Sequence, residues 1–220
     1  LGDVYKRQHL EYSKSIGVEK EANTVFEYNN VNSMLLADIL EKATGKKADL
    51  LLNERILDPI GVKSSSVWTD NAGNPLAYCC IDMSARDYSR FGLLFSRSGN
   101  WNGNQLVSKD FVDETFTEYW DDTPQWWTNA KRGYTLHWWV SKNDEEGSIF
   151  NASGKFGQYI FVDRENDIIF TRITKYHPTP GSIQDWGRLS RVEVNNIGRW
   201  LKVTRFLEKV GVLDLSLIHI

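Results

Sequence analysis

The chain has 220 residues, 41% of them hydrophobic and 25% charged, with 16 Gly and 5 Pro. That balance fits an ordinary globular protein with enough chain for a sizeable core, and it excludes collagen-like, low-complexity and largely disordered classes. Twenty-six basic against 29 acidic residues leave a net charge of −3, which argues against a nucleic-acid partner. No apolar run reaches the ~20 residues of a membrane span.

In chain order, both ends look foreign. The first residue is Leu, and residues 1–8 and 215–220 resemble adaptor read-through, so both stretches are expected to be non-native and the chain a fragment. Residues 33–44 predict a helix with Met34, Leu35, Ile39, Leu40 and Ala43 inward and Gly45 as its left-handed stop. A second helical stretch, Leu50 to Leu57, ends at Asp58-Pro59, where proline lacks the N–H that would continue it. Residues 61–83 read as loop. Ser84 to Asp87 has capping-box form and opens a helix with Tyr88, Phe91 and Leu94 or Phe95 inward, closed by Gly99. Ser108 caps a further helix through Tyr119.

From Gly133 the period falls to two. Tyr134, Leu136, Trp138 and Val140 alternate with Thr135, His137 and Trp139, as on one half-buried strand. Ser148 to Val162 and Asp167 to Ile173 read as two more strands, and residues 184–210 as a closing helix. Residues 9–132 are therefore a helical region, and 133–214 an antiparallel sheet with a covering helix, in one α+β domain.

Cys79 and Cys80 are neighbours. Adjacent Cα atoms lie ~3.8 Å apart, short of the roughly 4.4–6.8 Å of an ordinary disulfide, so these two are not expected to bridge each other. The four histidines form no ligand pair, and no metal is expected. Nine Trp, nine Tyr and ten Phe imply an aromatic core, an aromatic groove or both; core packing is favoured for Trp126-Trp127 and Trp138-Trp139. Asn151 to Ser153 has the form of a glycosylation acceptor, which is more often accidental.

Two short motifs remain. Tyr28-Asn29-Asn30 precedes the first predicted helix, with Asn30 also a candidate cap, and Lys155-Phe156-Gly157 followed by Gln158 falls in the middle predicted strand. Together with Phe26 to Asn30, Leu36 to Gly45, Asp58 to Gly61, Ala85 to Gly92, Gly99 to Gly103 and Gly154 to Gln158, in that order, the chain closely resembles the serine beta-lactamase-like family. That family includes class C beta-lactamases, DD-peptidases, esterases and 6-aminohexanoate-dimer hydrolases.

The resemblance implies a beta-lactamase/transpeptidase-like fold and hydrolysis through an acyl-serine, with no cofactor. It implies a catalytic Tyr28, whose phenol relays protons at neutral pH only if cations stabilise its phenolate. Lys155 would be one such cation, and Asn30 would orient the motif lysine and the substrate. Gly157 would clear the strand edge for substrate, and the Gln158 N–H would serve the oxyanion hole. Tyr28 and Lys155 are expected to converge on one cleft.

The implied partner is a small-molecule or short peptide-like acyl substrate. The surroundings of Tyr28 lean towards the esterase and 6-aminohexanoate-dimer hydrolase branch, while Lys155 in place of that branch's usual His leaves lactam and peptide cleavage open. No serine in the chain has lysine three places later. The family's Ser-x-x-Lys is therefore expected upstream, and the chain as given is expected to be inactive. The competing reading is a non-catalytic homologue that binds peptidoglycan or glycans through its tryptophans.

Overall fold

The computed structural model describes residues 9–22, 24–117, 132–141, 149–154, 158–164 and 167–173. Both chain ends, Trp126-Trp127 and the expected helix over 184–210 fall outside them. The chain divides into two compact units, Leu1–Asp87 with Trp101–Leu106, and Tyr88–Asn100 with Val107–Ile220.

In the first unit, α1 (His9–Ser15) is followed by α2 (Asn30–Thr44) and α3 (Ala48–Leu52). α3 runs on as a π-helical turn over Asn53–Leu57, and Leu57 and Ile60, both 1% exposed, anchor the stretch that Pro59 ends. Gly45, at φ 71°, donates its N–H to the Glu41 carbonyl at 2.7 Å and closes α2 as expected. The inward face of α2 differs from expectation. Met34 and Ala37 are buried, but Leu36, Ile39 and Leu40 are 47%, 58% and 46% exposed, and Ala43 is exposed too. Helical spacing produces an apolar stripe; it does not determine what covers the stripe.

The stretch 61–83 is loop apart from a small hairpin of β1 (Ser66–Val67) and β2 (Ile81–Asp82). Asp70 organises its turn. One carboxylate oxygen accepts the N–H groups of Ala72 and Asn74, both at 2.9 Å, and the other accepts the Asn74 amide at 3.1 Å. Burial works against ionisation of Asp70, but donation from Asn74, Ala72 and Leu10 outweighs it and holds the carboxyl below its ordinary range.

Cys79 and Cys80 are bridged, contrary to the expectation from spacing, across a Cα separation of 3.7 Å. The rule that excluded the bond describes cysteines on separate pieces of backbone. Here Cys80 adopts φ 74°, a left-handed conformation that accompanies the closed ring.

α4 (Ala85–Ser96) starts as its sequence predicts: Ser84 Oγ donates to the Asp87 carboxylate at 2.7 Å and accepts the Asp87 N–H at 3.1 Å. Just beyond its end, β3 (Asn100–Trp101) and β4 (Asn104–Gln105) form a short hairpin. α5 (Lys109–Thr117) opens on Ser108, whose hydroxyl accepts the Phe111 N–H at 3.2 Å.

The second unit is built on five antiparallel strands in the order β5 (Arg132–Tyr134), β6 (Trp139–Ser141), β7 (Ile149–Gly154), β8 (Gln158–Asp163) and β9 (Ile168–Arg172). The strand expected from Gly133 to Val140 is a hairpin. His137 sits at φ 65° and Thr135 donates its N–H to the Trp138 carbonyl, so the chain reverses where alternation predicted continuity. Ser148 to Val162 likewise contains two strands, with Gly154 opposite Gln158.

Phe95, Val112, Phe116, Trp138, Phe150, Ile160 and Val162 form the core of this unit, with Tyr88 and Phe91 packed against it. Phe116 meets Phe150 edge-on at 4.4 Å, and Phe95 and Trp138 lie 5.1 Å apart. α4 approaches the sheet closely at Gly92, where a Cβ would lie 2.8 Å from the Cγ2 atoms of Ile160 and Ile169. Trp138 and Trp139, 3% and 5% exposed, are core residues, as favoured from the sequence. Asn151 is 4% exposed and accepts the Ser153 hydroxyl, so the glycosylation pattern is accidental.

Candidate active site

Tyr28, Asn29 and Asn30 occupy the start of α2 in the first unit. Asn29 has extended backbone, φ −141° and ψ 127°, and its side-chain oxygen accepts the Val31 N–H at 2.7 Å. The helix cap is therefore Asn29. Asn30, expected as a candidate cap, is the first helical residue and is exposed. The asparagine that precedes helical backbone is the one whose oxygen can turn back to the open N–H groups, which moves the cap by one position.

Tyr28 is 40% exposed. Burial of the rest of the side chain disfavours the phenolate and raises the phenol above its ordinary value near 10. At neutral pH it is a proton donor, and a nearby cation is what would make it an acceptor.

α2 is tied to α1 through Asp38, which receives Lys14 at 3.1 Å and Lys42 at 2.6 Å. The hydrogen bond from Lys42, against a smaller burial effect and with help from Lys14, holds this carboxyl below its ordinary range.

In the second unit, Gln158 is the first residue of β8 and half-buried, facing Gly154 of β7. A Cβ on Gly154 would lie 3.0 Å from the Gln158 Cβ, so a glycine suits this pair. Lys155 and Gly157 lie outside the described residues.

Sequence reading missed the pairing of His9 with Tyr78. His9 Nδ1 and the Tyr78 hydroxyl are 2.8 Å apart and the rings are stacked at 4°. Burial, then the charge of Asp70, raises the Tyr78 phenol. The 69-residue separation left no local signal for this contact. Among the described residues no group of three His, Cys, Asp or Glu side chains could hold a metal, and no helix is long and apolar enough to cross a membrane.

A family model described as Beta-lactamase matches residues 2–192. The 6-aminohexanoate-dimer hydrolase of Paenarthrobacter ureafaciens is 25% identical over 190 residues, which cover 84% of this chain and 46% of that protein. Among solved structures, a provisionally assigned 6-aminohexanoate-dimer hydrolase from Bacillus anthracis matches with a TM-score of 0.70 at 22% identity, over 91% of this chain and 49% of its own. The octameric penicillin-binding protein homologue of Pyrococcus abyssi matches with a TM-score of 0.58 at 19% identity, over 73% of this chain and 41% of its own. The chain thus spans about half the length of these relatives or less. Its fold is the beta-lactamase/transpeptidase-like α+β arrangement expected from the sequence.

Proposed function

The chain belongs to the Beta-lactamase family, and on that premise we propose that it carries part of a serine hydrolase that cleaves an ester, amide or lactam through an acyl-serine. Residues 9–132 and 133–214 are read as two stretches of one hydrolase domain. Tyr28 relays the proton between serine, leaving group and water. Lys155 supplies positive charge that makes the phenolate accessible, and Asn30 orients the motif lysine and the substrate. Gly157 leaves the start of β8 open to substrate, and the Gln158 N–H donates to the oxyanion.

One observation carries this reading. The family match runs through both motif-bearing segments, and Tyr28 and Asn30 flank the capped start of a helix. The relative named for 6-aminohexanoate-dimer hydrolysis favours a short linear amide or ester over a lactam.

No serine in these 220 residues is followed by lysine at the third place, so the chain as given lacks the nucleophile motif and is expected not to turn over substrate. An upstream segment without that motif would favour a second reading, a non-catalytic homologue that binds peptidoglycan or glycans. The buried Trp138 and Trp139 offer no groove for it.

The deciding experiment extends the chain with the residues that precede it in its coding sequence and assays a chromogenic short-chain ester beside a chromogenic lactam. A Ser-x-x-Lys in the extension, with ester turnover that falls about 10²–10⁴-fold in Tyr28→Phe, supports the enzyme. An extension without the motif, or a Tyr28→Phe variant at full rate, overturns it.

A further inference from the structure

We propose that Asn29, the middle residue of Tyr28-Asn29-Asn30, is a positioning residue: by capping α2 it sets the directions in which Tyr28 and Asn30 leave the backbone. The inference rests on the roles read above for those two side chains. A helix start leaves its first N–H groups without intrahelical partners, and something must accept them. Asn29 accepts the Val31 N–H at 2.7 Å.

The first turn of α2 carries no acidic residue that could serve in its place. Asn29 and Asn30 are exposed, Val31 is only half-buried, and the buried side chains of the helix begin at Met34. Upstream, the described residues between Ser15 and Asn30 form no helix or strand. The ion pair between Lys20 and Glu27, at 3.0 Å, joins two side chains that are both at least half exposed, and such a pair fixes backbone direction poorly.

The cap therefore marks the change from extended backbone at Asn29 to helical backbone at Asn30. It places Tyr28 before that change and Asn30 after it. Asn30 has been read as acting on substrate directly; Asn29 acts through its two neighbours.

The test uses this chain with 13Cζ-labelled tyrosine, the Tyr28 resonance being identified by its loss in Tyr28→Phe. Its titration is followed by NMR in the parent and in Asn29→Ala, Asn29→Gly and Asn29→Ser. Glycine is tolerated at a cap but offers no side-chain acceptor, so it serves should the alanine variant fail to fold; serine restores an acceptor. Loss of the cap is expected to let Tyr28 move into solvent and to lower its midpoint by about half a pH unit, roughly threefold in ionisation constant. Asn29→Ser should return it to the parent value.

A merely structural cap would shorten α2 by circular dichroism and leave the Tyr28 midpoint unmoved, and that result overturns the proposal. So does a serine variant that matches the glycine one. Neither result touches the reading of Tyr28 and Lys155 as catalytic partners, which the extended-chain kinetics and the Lys155 variants test separately.

Discussion

The core of the second unit and helix α2 of the first keep their structure by different means. In the second, aromatic and branched side chains from α4, α5 and the five-stranded sheet form one core, and β8 is buried from Tyr159 to Asp163. In the first, α2 buries only Met34 and Ala37, leaves Leu36, Ile39 and Leu40 exposed, and relies on a side-chain cap, a glycine stop and ion pairs. Packing of the first kind is worth several kcal/mol per large side chain, whereas each cap or exposed pair contributes about 1 kcal/mol or less. Tyr28 and Asn30 thus stand at the start of an element held by many small terms, and Gln158 opens a strand buried from Tyr159 to Asp163.

The largest expected effect sharpens that contrast. Phe116→Ala should cost about 3–5 kcal/mol of unfolding free energy by urea titration, because the side chain is 8% exposed and meets Phe95, Trp138 and Phe150. Ile39→Ala on α2, at 58% exposure, should stay within about 0.5 kcal/mol. A comparable cost at Ile39 would break the contrast.

A middle-sized effect comes from Gly92→Ala. Helix propensity favours the alanine by about 1 kcal/mol, but its Cβ would crowd Ile160 and Ile169 from 2.8 Å, and overpacking costs about 1–3 kcal/mol. The variant should be less stable than the parent, and a raised melting temperature would show that α4 can withdraw from the sheet.

Acid sensitivity should be shared by both units. In the second, Asp113 is held below its ordinary value near 3.8 by the Lys109 hydrogen bond and then by that of Arg164. A carboxyl whose folded pKa is depressed contributes stability above its unfolded pKa and loses it as pH falls through the folded one. Thermal melting between about pH 4 and pH 2 should therefore fall less steeply in Asp113→Asn and in Asp38→Asn than in the parent. Unchanged slopes would remove these pairs from the account. The smallest effect is Lys20→Ala, expected within about 0.5 kcal/mol of the parent because its partner Glu27 is well exposed.

Punctuation was the most legible part of the chain. Ser84 with Asp87, Ser108, Gly45 and Pro59 mark their element ends by chemistry that acts within a few residues. Spacing did less well wherever a distant or conformational fact decides. The stripe on α2 reads the same whether or not anything covers it. The hairpin at residues 132–141 hides in an alternating pattern because His137 adopts a left-handed conformation that its neighbours do not announce. The cysteine bridge goes with a positive φ at Cys80 that spacing does not show, and the pairing of His9 with Tyr78 joins positions 69 apart. At the candidate site the cap falls one position earlier than the sequence suggested, since Asn29 and Asn30 differ only in which side of the helix boundary they occupy.

The central proposal is that the Lys155 ammonium group supports the Tyr28 phenolate, and the Tyr28 titration in Lys155→Ala and Lys155→Arg tests it most directly. If the cation supports the phenolate, removing it should push the Tyr28 midpoint still further above 10, while arginine, which keeps the charge, should hold it near the parent value. A Tyr28 titration identical in all three proteins would contradict the account.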